Sequence, residues 1–460
     1  MNNHYHFIGI GGIGMGAIAA LLLAKGQRVS GSDVKENQMT QKLRADGALV
    51  YIGHDAANIN GADYVIYSSA ITTDNPEWQQ AKAKNIIIYR RAQMLAELMQ
   101  PHTSVTVAGA HGKTTTSSMA AHLLKTAGFG PTTAVGGILN ESNVNAYLGS
   151  SSYFVAEVDE SDGSFLYFEP TYSIITNIDK EHLDYYRDWD HIIDTYREFI
   201  NKTKKDGLLI GCGDDPYVRQ LVSASSRNKI LYGLAPNNDI IAHDLHFAQN
   251  TVEFSCAAHG RDYGQLSLQI PGKHNVLNAL SCVGLGLSLS IDWPVIKESL
   301  ATFQGVKRRF QRKGTINDIT VIDDYAHHPT EISCVLQAAA AFNAGRLVVV
   351  FQPHRYSRVK NLQEDFIRSL ENADEIIITD IYAASETPMA GVSAENFVAQ
   401  MKTQSAKPVS YCPKNQLLDK LSGHLRPGDM VLMLGAGDIT SYSDQLVEKL
   451  VQVHKKQKVG

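Results

Sequence analysis

Apolar residues fall in short runs along this chain, and most runs end in glycine or in charged side chains. His4 to Ile10 is the first, and a strand is expected there; the stripe Met15, Ile18, Ala19, Leu22 and Leu23 behind it has the spacing of one helix face. Further strands are expected from Arg28 to Ser32-Asp33 and from Tyr64 to Tyr67, and Pro101 closes this part of the chain. Val105 to Ala108 reads as a buried strand, Gly109 to Gly112 as a tight turn, and Lys113 onward as a helix with Met119, Leu123 and Ala127 on one face and Gly128 as its stop. Tyr153 to Ala156 and Ser173 to Thr176 are two more strands. Between Arg227 and Ile270 short runs alternate with Gly/Asn/Asp turns, which predicts extra, partly antiparallel strands. From Asp318 strand and helix alternate, with strands at Ile319–Ile322, Leu347–Phe351, Ile376–Thr379, Pro408–Tyr411 and Met430–Leu434. Most of these are continuous and apolar, as in a parallel sheet covered on both faces.

Bulk properties narrow the picture. The 460 residues carry 42 basic against 47 acidic side chains, a net charge of −5, so no basic surplus points to nucleic acid. The five cysteines are scattered and odd in number, which argues against a disulfide framework or a Cys-type zinc site and for a reducing cytoplasm. The longest early apolar run, Ala17 to Ala24, is too short to span a bilayer and no signal peptide precedes it, so no membrane partner is expected.

Candidate chemistry lies where the runs end. Gly109-Ala110-His111-Gly112-Lys113-Thr114-Thr115 follows a strand and opens a helix, the architecture of a phosphate-binding loop. Turn N–H groups and the helix dipole would face a polyphosphate, Lys113 would reach its β- and γ-phosphates, and the Thr114 hydroxyl would ligate Mg²⁺. The loop is a variant, because Val107 stands where the usual pattern has its first glycine. Near the start, Gly9 to Gly14 (with Gly11 and Gly12 inside it) forms G-x-G-x-x-G, with Ser32 and Asp33 after the next strand. These residues suit NAD, any other diphosphate such as a UDP-sugar, or close helix–strand packing alone. Ser68 and Ser69 are expected at the same sheet edge. Acids follow the strand at Tyr153 (Glu157, Asp159, Glu160, Asp162), where Mg²⁺ would need an oxygen ligand. Taken alone, His182 is an ordinary surface histidine. Asn275 and Asn278 lie one helical turn apart and either face one ligand or include a helix cap. Val306 to Phe310 is a basic hinge or a solvated linker. His327, His328, His354, Arg355, Arg358, Asp323 and Asp324 sit after the late strands, where open α/β sheets bind ligands.

Gly109-Ala-His-Gly-Lys-Thr-Thr, Glu157 with Asp159-Glu-Ser-Asp162, Asn177 with Asp-Lys-Glu-His182, His274-Asn-Val-Leu-Asn278 and Arg308-Arg-Phe310 occur here in an order that resembles the Mur ligase family, over the whole chain. The resemblance implies an α/β chain of three domains: a Rossmann-like UDP-sugar domain (1–102), an ATP-binding P-loop domain with a mostly parallel sheet (103–307), and a Rossmann-like amino-acid domain (308–460). Thr114, Glu157 and His182 would surround Mg²⁺, Asn275 and Asn278 would lie near adenine, and Arg309 with Asp324 at the closing edge of the ATP site. Gly11, Gly12, Gly14, Ser32, Asp33, Ser68, Ser69, His327, His354, Arg355 and Arg358 would serve the substrates. Some relatives carry a carbamylated lysine about fifteen residues beyond the metal histidine; here that offset falls on Arg197.

The stretches His6 to Met15, Asp323 to Glu331, Phe351 to Arg358 and Gly435 to Asp438 look most like family members that join L-alanine to UDP-N-acetylmuramate. The reaction so implied uses ATP to turn the lactyl carboxylate into an acyl phosphate, which the amine of L-alanine attacks, with Lys113, Glu157, His182, Arg309 and Asp324 in catalytic positions and His327 or His328 as the base. The rival within the family attaches an intact tripeptide to the same sugar nucleotide. A monomer and a homodimer are both compatible with the chain.

Overall fold

The computed structural model describes residues 2–140, 144–182, 185–248, 251–341, 345–384 and 386–459. Asp184, in the acidic run after His182, lies outside them. Three α/β sheets are present. The first is wholly parallel and joins β1 (His4–Ile8), β2 (Arg28–Asp33), β3 (Leu49–Ile52), β4 (Tyr64–Tyr67) and β5 (Ile87–Arg90) in the order β3-β2-β1-β4-β5. Its order reverses at β1, so the crevice outside the carboxyl ends of β1 and β4 is where such sheets hold ligands.

The second sheet comprises β6 (Thr103–Ala108), β7 (Thr132–Ala134), β8 (Ala146–Tyr147), β9 (Tyr153–Glu157), β10 (Tyr172–Ile175), β11 (Leu208–Cys212), β12 (Asn228–Gly233), β13 (Ile240–Phe247), β14 (Val252–Ala258) and β15 (Arg261–Leu268). Their order is β15-β14-β13-β12-β11-β10-β6-β9-β7-β8, with β6 next to both β9 and β10. Pairing is parallel from β7 through β9 and β6 to β13, while β7 and β8 pair antiparallel. The third sheet has the order β16-β17-β21-β18-β19-β20, from β16 (Gln311–Ile316), β17 (Ile319–Asp324), β18 (Arg346–Phe351), β19 (Glu375–Ile378), β20 (Val409–Tyr411) and β21 (Asp429–Leu434). Among the described residues of this sheet only β16 runs antiparallel to its neighbour.

Alternation explains the continuous apolar runs of the third sheet. Ile322, Val349, Phe351, Leu432 and Leu434 enter the core on one face, and Val321, Val348, Val350, Val431 and Met433 the core on the other. Helix starts and stops fall where the residue types place them: Pro329 opens the helix Pro329–Ala340, and the helix Lys113–Thr126 is followed by Gly128 at φ +78°. By compactness the chain divides into two units, residues 1–244, 254–266 and 277–304, and residues 245–253, 267–276 and 305–460. No helix among the described residues is long and apolar enough to cross a membrane.

The first sheet contains a buried polar seam. His4 Nδ1 lies 2.7 Å from Gly61 O and its Nε2 2.7 Å from Ser30 Oγ; His6 Nδ1 lies 2.8 Å from the same hydroxyl and its Nε2 3.2 Å from Glu77 Oε2. Glu77, on the helix Pro76–Ala83, is wholly buried. In the core beside the second sheet Phe165 stacks on Phe199 at 4.6 Å between ring centroids, with Tyr196 edge-on at 5.2 Å. Phe165→Ala removes the shared member of both pairs and should lower unfolding free energy by about 3–5 kcal/mol, measured by urea titration.

Candidate active site

β6 delivers Gly109–Gly112 to the start of the helix Lys113–Thr126. Both glycines are required. Gly109 has φ +136°, and a Cβ there would sit 2.0 Å from Thr176 Oγ1; Gly112 has φ +80°, and its Cβ would sit 2.9 Å from Asn278 Oδ1. The residues after β10 then clamp the turn. His111 N donates to Asn177 Oδ1 at 2.8 Å, Asn177 Nδ2 and Thr176 Oγ1 donate to His111 O at 2.9 and 2.7 Å, and Ala110 N donates to Asn177 O at 3.2 Å. The His111 ring meets Asp179 Oδ2 at 2.9 Å. Thr114 and Thr115 are buried at the first helical turn.

Lys113 Nζ donates to Gly109 O at 2.6 Å and Ala110 O at 3.2 Å and meets Glu160 Oε2 at 2.8 Å. Burial works against its charge, but Glu160, Asp159 and Glu157 outweigh burial and hold its pKa above the usual lysine range. Glu160 itself is almost fully buried, and its backbone carbonyl accepts from the Tyr186 hydroxyl. His182 Nε2 lies 3.5 Å from Glu160 Oε1 and 3.6 Å from Glu181 Oε2. Burial lowers the affinity of this imidazole for a proton, and the two carboxylates more than reverse that, so its pKa is raised. Its φ of +56° is left-handed, a conformation uncommon outside glycine that clusters at functional sites.

Glu160, Glu181 and His182 bring three potential ligand atoms within 4.8 Å of one another. The sequence reading set Thr114, Glu157 and His182 together; here His182 groups with Glu160 and Glu181, while Glu157 Oε2 accepts from Gly136 N at 2.9 Å. Glu160 lay within the acidic run that the sequence reading noted, but spacing along a loop could not rank four carboxylates.

At the amino-terminal glycine turn, Gly9 N and Ile10 N donate to Ser32 O at 2.8 and 3.0 Å, and Gly11 N donates to Asp33 Oδ2 at 2.9 Å. Asp33 therefore braces the turn. Ser32 is wholly buried, and its hydroxyl donates to Glu77 Oε2 at 2.6 Å and lies 2.9 Å from His54 Nδ1. Ser32 thus faces the sheet interior with its side chain, and only its carbonyl serves the turn. Ser68 Oγ accepts from Ala70 N at 3.3 Å and Ser69 is exposed. Gly12 caps the helix Ile13–Ala24, whose first-turn N–H groups are those a helix start leaves for an anion. Arg91, unremarked in the sequence, packs its Cδ 3.1 Å from where a Gly14 Cβ would lie, and its Nη2 is 3.7 Å from Asp159 Oδ2. Its signal was its place directly after β5, at the carboxyl edge of the sheet. Asn145 Nδ2 donates to Ile13 O at 2.9 Å and fixes the same helix start from the second sheet.

In the third sheet Asp324 ends β17 and accepts from Phe310 N at 2.6 Å and Ala326 N at 2.7 Å. Burial lifts its pKa to about 6 against the opposing pull of Arg309. The Arg308 and Arg309 guanidiniums lie 4.8 and 5.1 Å from the Tyr325 ring centroid, and Arg309 reaches Glu331 at 3.8 Å. Val306–Phe310 is thus more than a solvated linker: Arg308 donates to Gly435 O at 2.6 Å. His327 Nδ1 is 3.1 Å from Glu331 Oε2, and His328 caps the helix Pro329–Ala340. His354 stacks on Tyr382 (5.7 Å, 11°) and meets the His327 ring edge-on at 5.5 Å. Burial, followed by His327, Arg358, Arg355 and Arg308, pushes its pKa down to about 3, so it is neutral at physiological pH. Arg355 adopts φ +68° and its N–H donates to Tyr382 O at 2.8 Å. Asn275 and Asn278 are both buried on the helix Lys273–Ser288, and Asn275 Nδ2 donates to Pro271 O at 2.6 Å.

Three family models match in series: "Mur ligase family, catalytic domain" over residues 4–103, "Mur ligase middle domain" over 107–286 and "Mur ligase, glutamate ligase domain" over 308–437. The UDP-N-acetylmuramate–L-alanine ligase of Geotalea uraniireducens is 45% identical over 446 residues, 97% of each chain. The chain belongs to the Mur ligase family. Another relative of the same printed name, from Desulfotalea psychrophila, is 46% identical over 98% of this chain and 99% of its own. Among solved Mur ligase structures, the UDP-N-acetylmuramate–alanine ligase of Thermotoga maritima superposes with a TM-score of 0.84 at 31% identity, covering 98% of this chain and 99% of that one. A murein peptide ligase from Psychrobacter arcticus, at 23% identity, shares the fold with a TM-score of 0.72 over 98% of this chain and 99% of its own. The three-domain α/β organisation is therefore that of the family.

Two predictions follow from this geometry. Gly109→Ala combines positive φ with a clash on Thr176, so binding of a fluorescent ATP analogue should weaken by roughly 10- to 100-fold at unchanged circular dichroism. Burial, with Arg309 adding to it, pushes the His274 pKa down to about 4. A group depressed below its unfolded value of about 6.5 contributes stability that is complete above that pH and lost as pH falls towards 4. Thermal unfolding from pH 7 to 4 should therefore show a shallower loss for His274→Gln than for the parent chain.

Proposed function

We propose that this chain joins L-alanine to the lactyl carboxylate of UDP-N-acetylmuramate, with ATP as co-substrate, in peptidoglycan precursor synthesis. The observation that carries the reading is Lys113, a half-buried ammonium on a glycine turn at a helix start, paired with Glu160. The near full-length identity to relatives named for that reaction supplies the choice of sugar nucleotide and amino acid. Residues 1–102 would take the UDP-sugar, 103–307 ATP and 308–460 the amino acid.

A carboxylate does not acylate an amine at neutral pH, because oxide is the leaving group. Transfer of the γ-phosphoryl group of ATP to the lactyl carboxylate gives an acyl phosphate and ADP. The neutral amine attacks the acyl carbon, and phosphate departs from the tetrahedral intermediate with the amide formed. Lys113 would leave Glu160 for the phosphoryl oxygens, where charge builds. His327 or His328 would take the ammonium proton; His354, held neutral with its Nδ1 3.4 Å from Arg358 Nη1, is the weaker base.

The donor set of Glu160, Glu181 and His182, with Glu157 and the Thr114 hydroxyl as further oxygen donors, fits a divalent cation such as Mg²⁺, which would screen charge on the transferring phosphoryl group. A cation on Glu160 would compete with the Lys113 ammonium for the same oxygens and so would favour Lys113 on the nucleotide. Asn275 and Asn278 near adenine, Arg309 and Asp324 beside ATP, and Arg355 with Arg358 on substrate carboxylates complete the assignment. The protein would work in the cytoplasm, as a monomer or homodimer, without nucleic acid or membrane.

Phosphate release from ATP should require both UDP-N-acetylmuramate and L-alanine, and the tripeptide L-alanyl-γ-D-glutamyl-meso-diaminopimelate should not replace L-alanine. Lys113→Ala should lower turnover by about 10²–10³-fold; near-normal turnover would remove the glycine turn from the mechanism.

A further inference from the structure

Glu77 is a fully buried carboxylate far along the chain from either glycine turn, and nothing in the reaction above uses it. Four donors converge on it. Ser32 Oγ at 2.6 Å and His6 Nε2 at 3.2 Å meet Oε2, while Asn58 Nδ2 at 2.7 Å and Asp55 N at 3.2 Å meet Oε1. Burial raises the pKa of such a group, yet the bonds from His6, Ser32 and Asn58 win and hold it below the usual glutamate value.

The position of the receiving strand gives this arrangement a purpose beyond packing. Ser32 is the residue whose hydroxyl binds Glu77 and whose carbonyl binds Gly9 N and Ile10 N. Its neighbour Asp33 binds Gly11 N. The carboxylate thus sets the end of β2, and the end of β2 sets the glycine turn. On the opposite side the same carboxylate ties down the loop 53–58, through Asp55 and Asn58.

We propose that Glu77 is a positioning residue for nucleotide-sugar binding at the Gly9–Gly14 turn, acting through Ser32 without touching the ligand. The inference rests on the reading that this turn takes the UDP-sugar. A neutral amide of the same shape cannot replace the carboxylate: one of its two heads would present N–H groups to donors already aimed at it.

The test compares the parent chain with Glu77→Gln in UDP calorimetry and in steady-state kinetics. The variant should bind UDP at least tenfold more weakly and raise the KM for UDP-N-acetylmuramate by a similar factor, with kcat and the KM for ATP within twofold. A merely structural glutamate would lower the melting temperature and move all constants together or none, and either pattern overturns the proposal. If Glu77→Gln does not fold, Asn58→Ala, which deletes one donor, should raise the same KM at least threefold; an unchanged KM in it overturns the proposal equally. A parent chain that binds no UDP would instead overturn the reading of the turn itself, and this inference with it.

Discussion

A primary ammonium closed in among carboxylates organises the centre of this molecule. The charge of Lys113 is answered by Glu160 and by two carbonyls of its own turn. A buried charge left single is so unfavourable that the surrounding chain must supply its partners. That requirement explains why β9 ends in acid, why Glu160 is buried, and why His182 accepts a left-handed backbone to lie beside it. An anion that approached the turn would meet the same ammonium, so Glu160 and such an anion are alternatives around a single nitrogen.

The two glycine turns are physically connected within one unit. Arg91 leans on Gly14 and reaches Asp159, whose carboxyl is held below its usual range: loss of solvent works the other way, but Lys113 and Arg91 prevail. Asn145 carries a second tie from the central sheet to the helix behind the first turn. The two glycine turns are thus linked by short side-chain contacts as well as by the chain between them.

Much of this was legible from pattern alone. The third sheet announced itself because strands apolar on both faces leave unbroken runs, and the loop at Lys113 because strand, glycine and helix start follow within ten residues. Strands β3, β5 and β16 did not. β3 and β5 are the edges of the first sheet, with Leu49, Ile52 and Ile87 exposed, and β16 reads Gln-Arg-Lys-Gly-Thr-Ile, a sequence whose strand character comes from pairing with β17 and not from its own residues. The site residues divided the same way. Gly109, Gly112 and Lys113 carry local signals. Asn177, Glu160, Glu181 and Arg91 acquire their meaning only from what folding places opposite them, and the position of Ser32 at a strand end does not tell that its hydroxyl turns to Glu77.

The seam from Gly61 through His4, Ser30 and His6 to Glu77 has a property that goes beyond packing. Both termini of this chain of contacts are acceptors, a carbonyl and a carboxylate, and four contacts lie between them. Ser30 brings a single hydrogen to two rings, so it can donate to one of them and must accept from the other. Burial lowers the proton affinity of His4, and with its Nδ1–H on the Gly61 carbonyl its Nε2 accepts from Ser30, which in turn accepts from His6. The amino-terminal sheet therefore carries a directed relay of polar contacts through its interior, in which what one ring donates decides what its neighbour must accept.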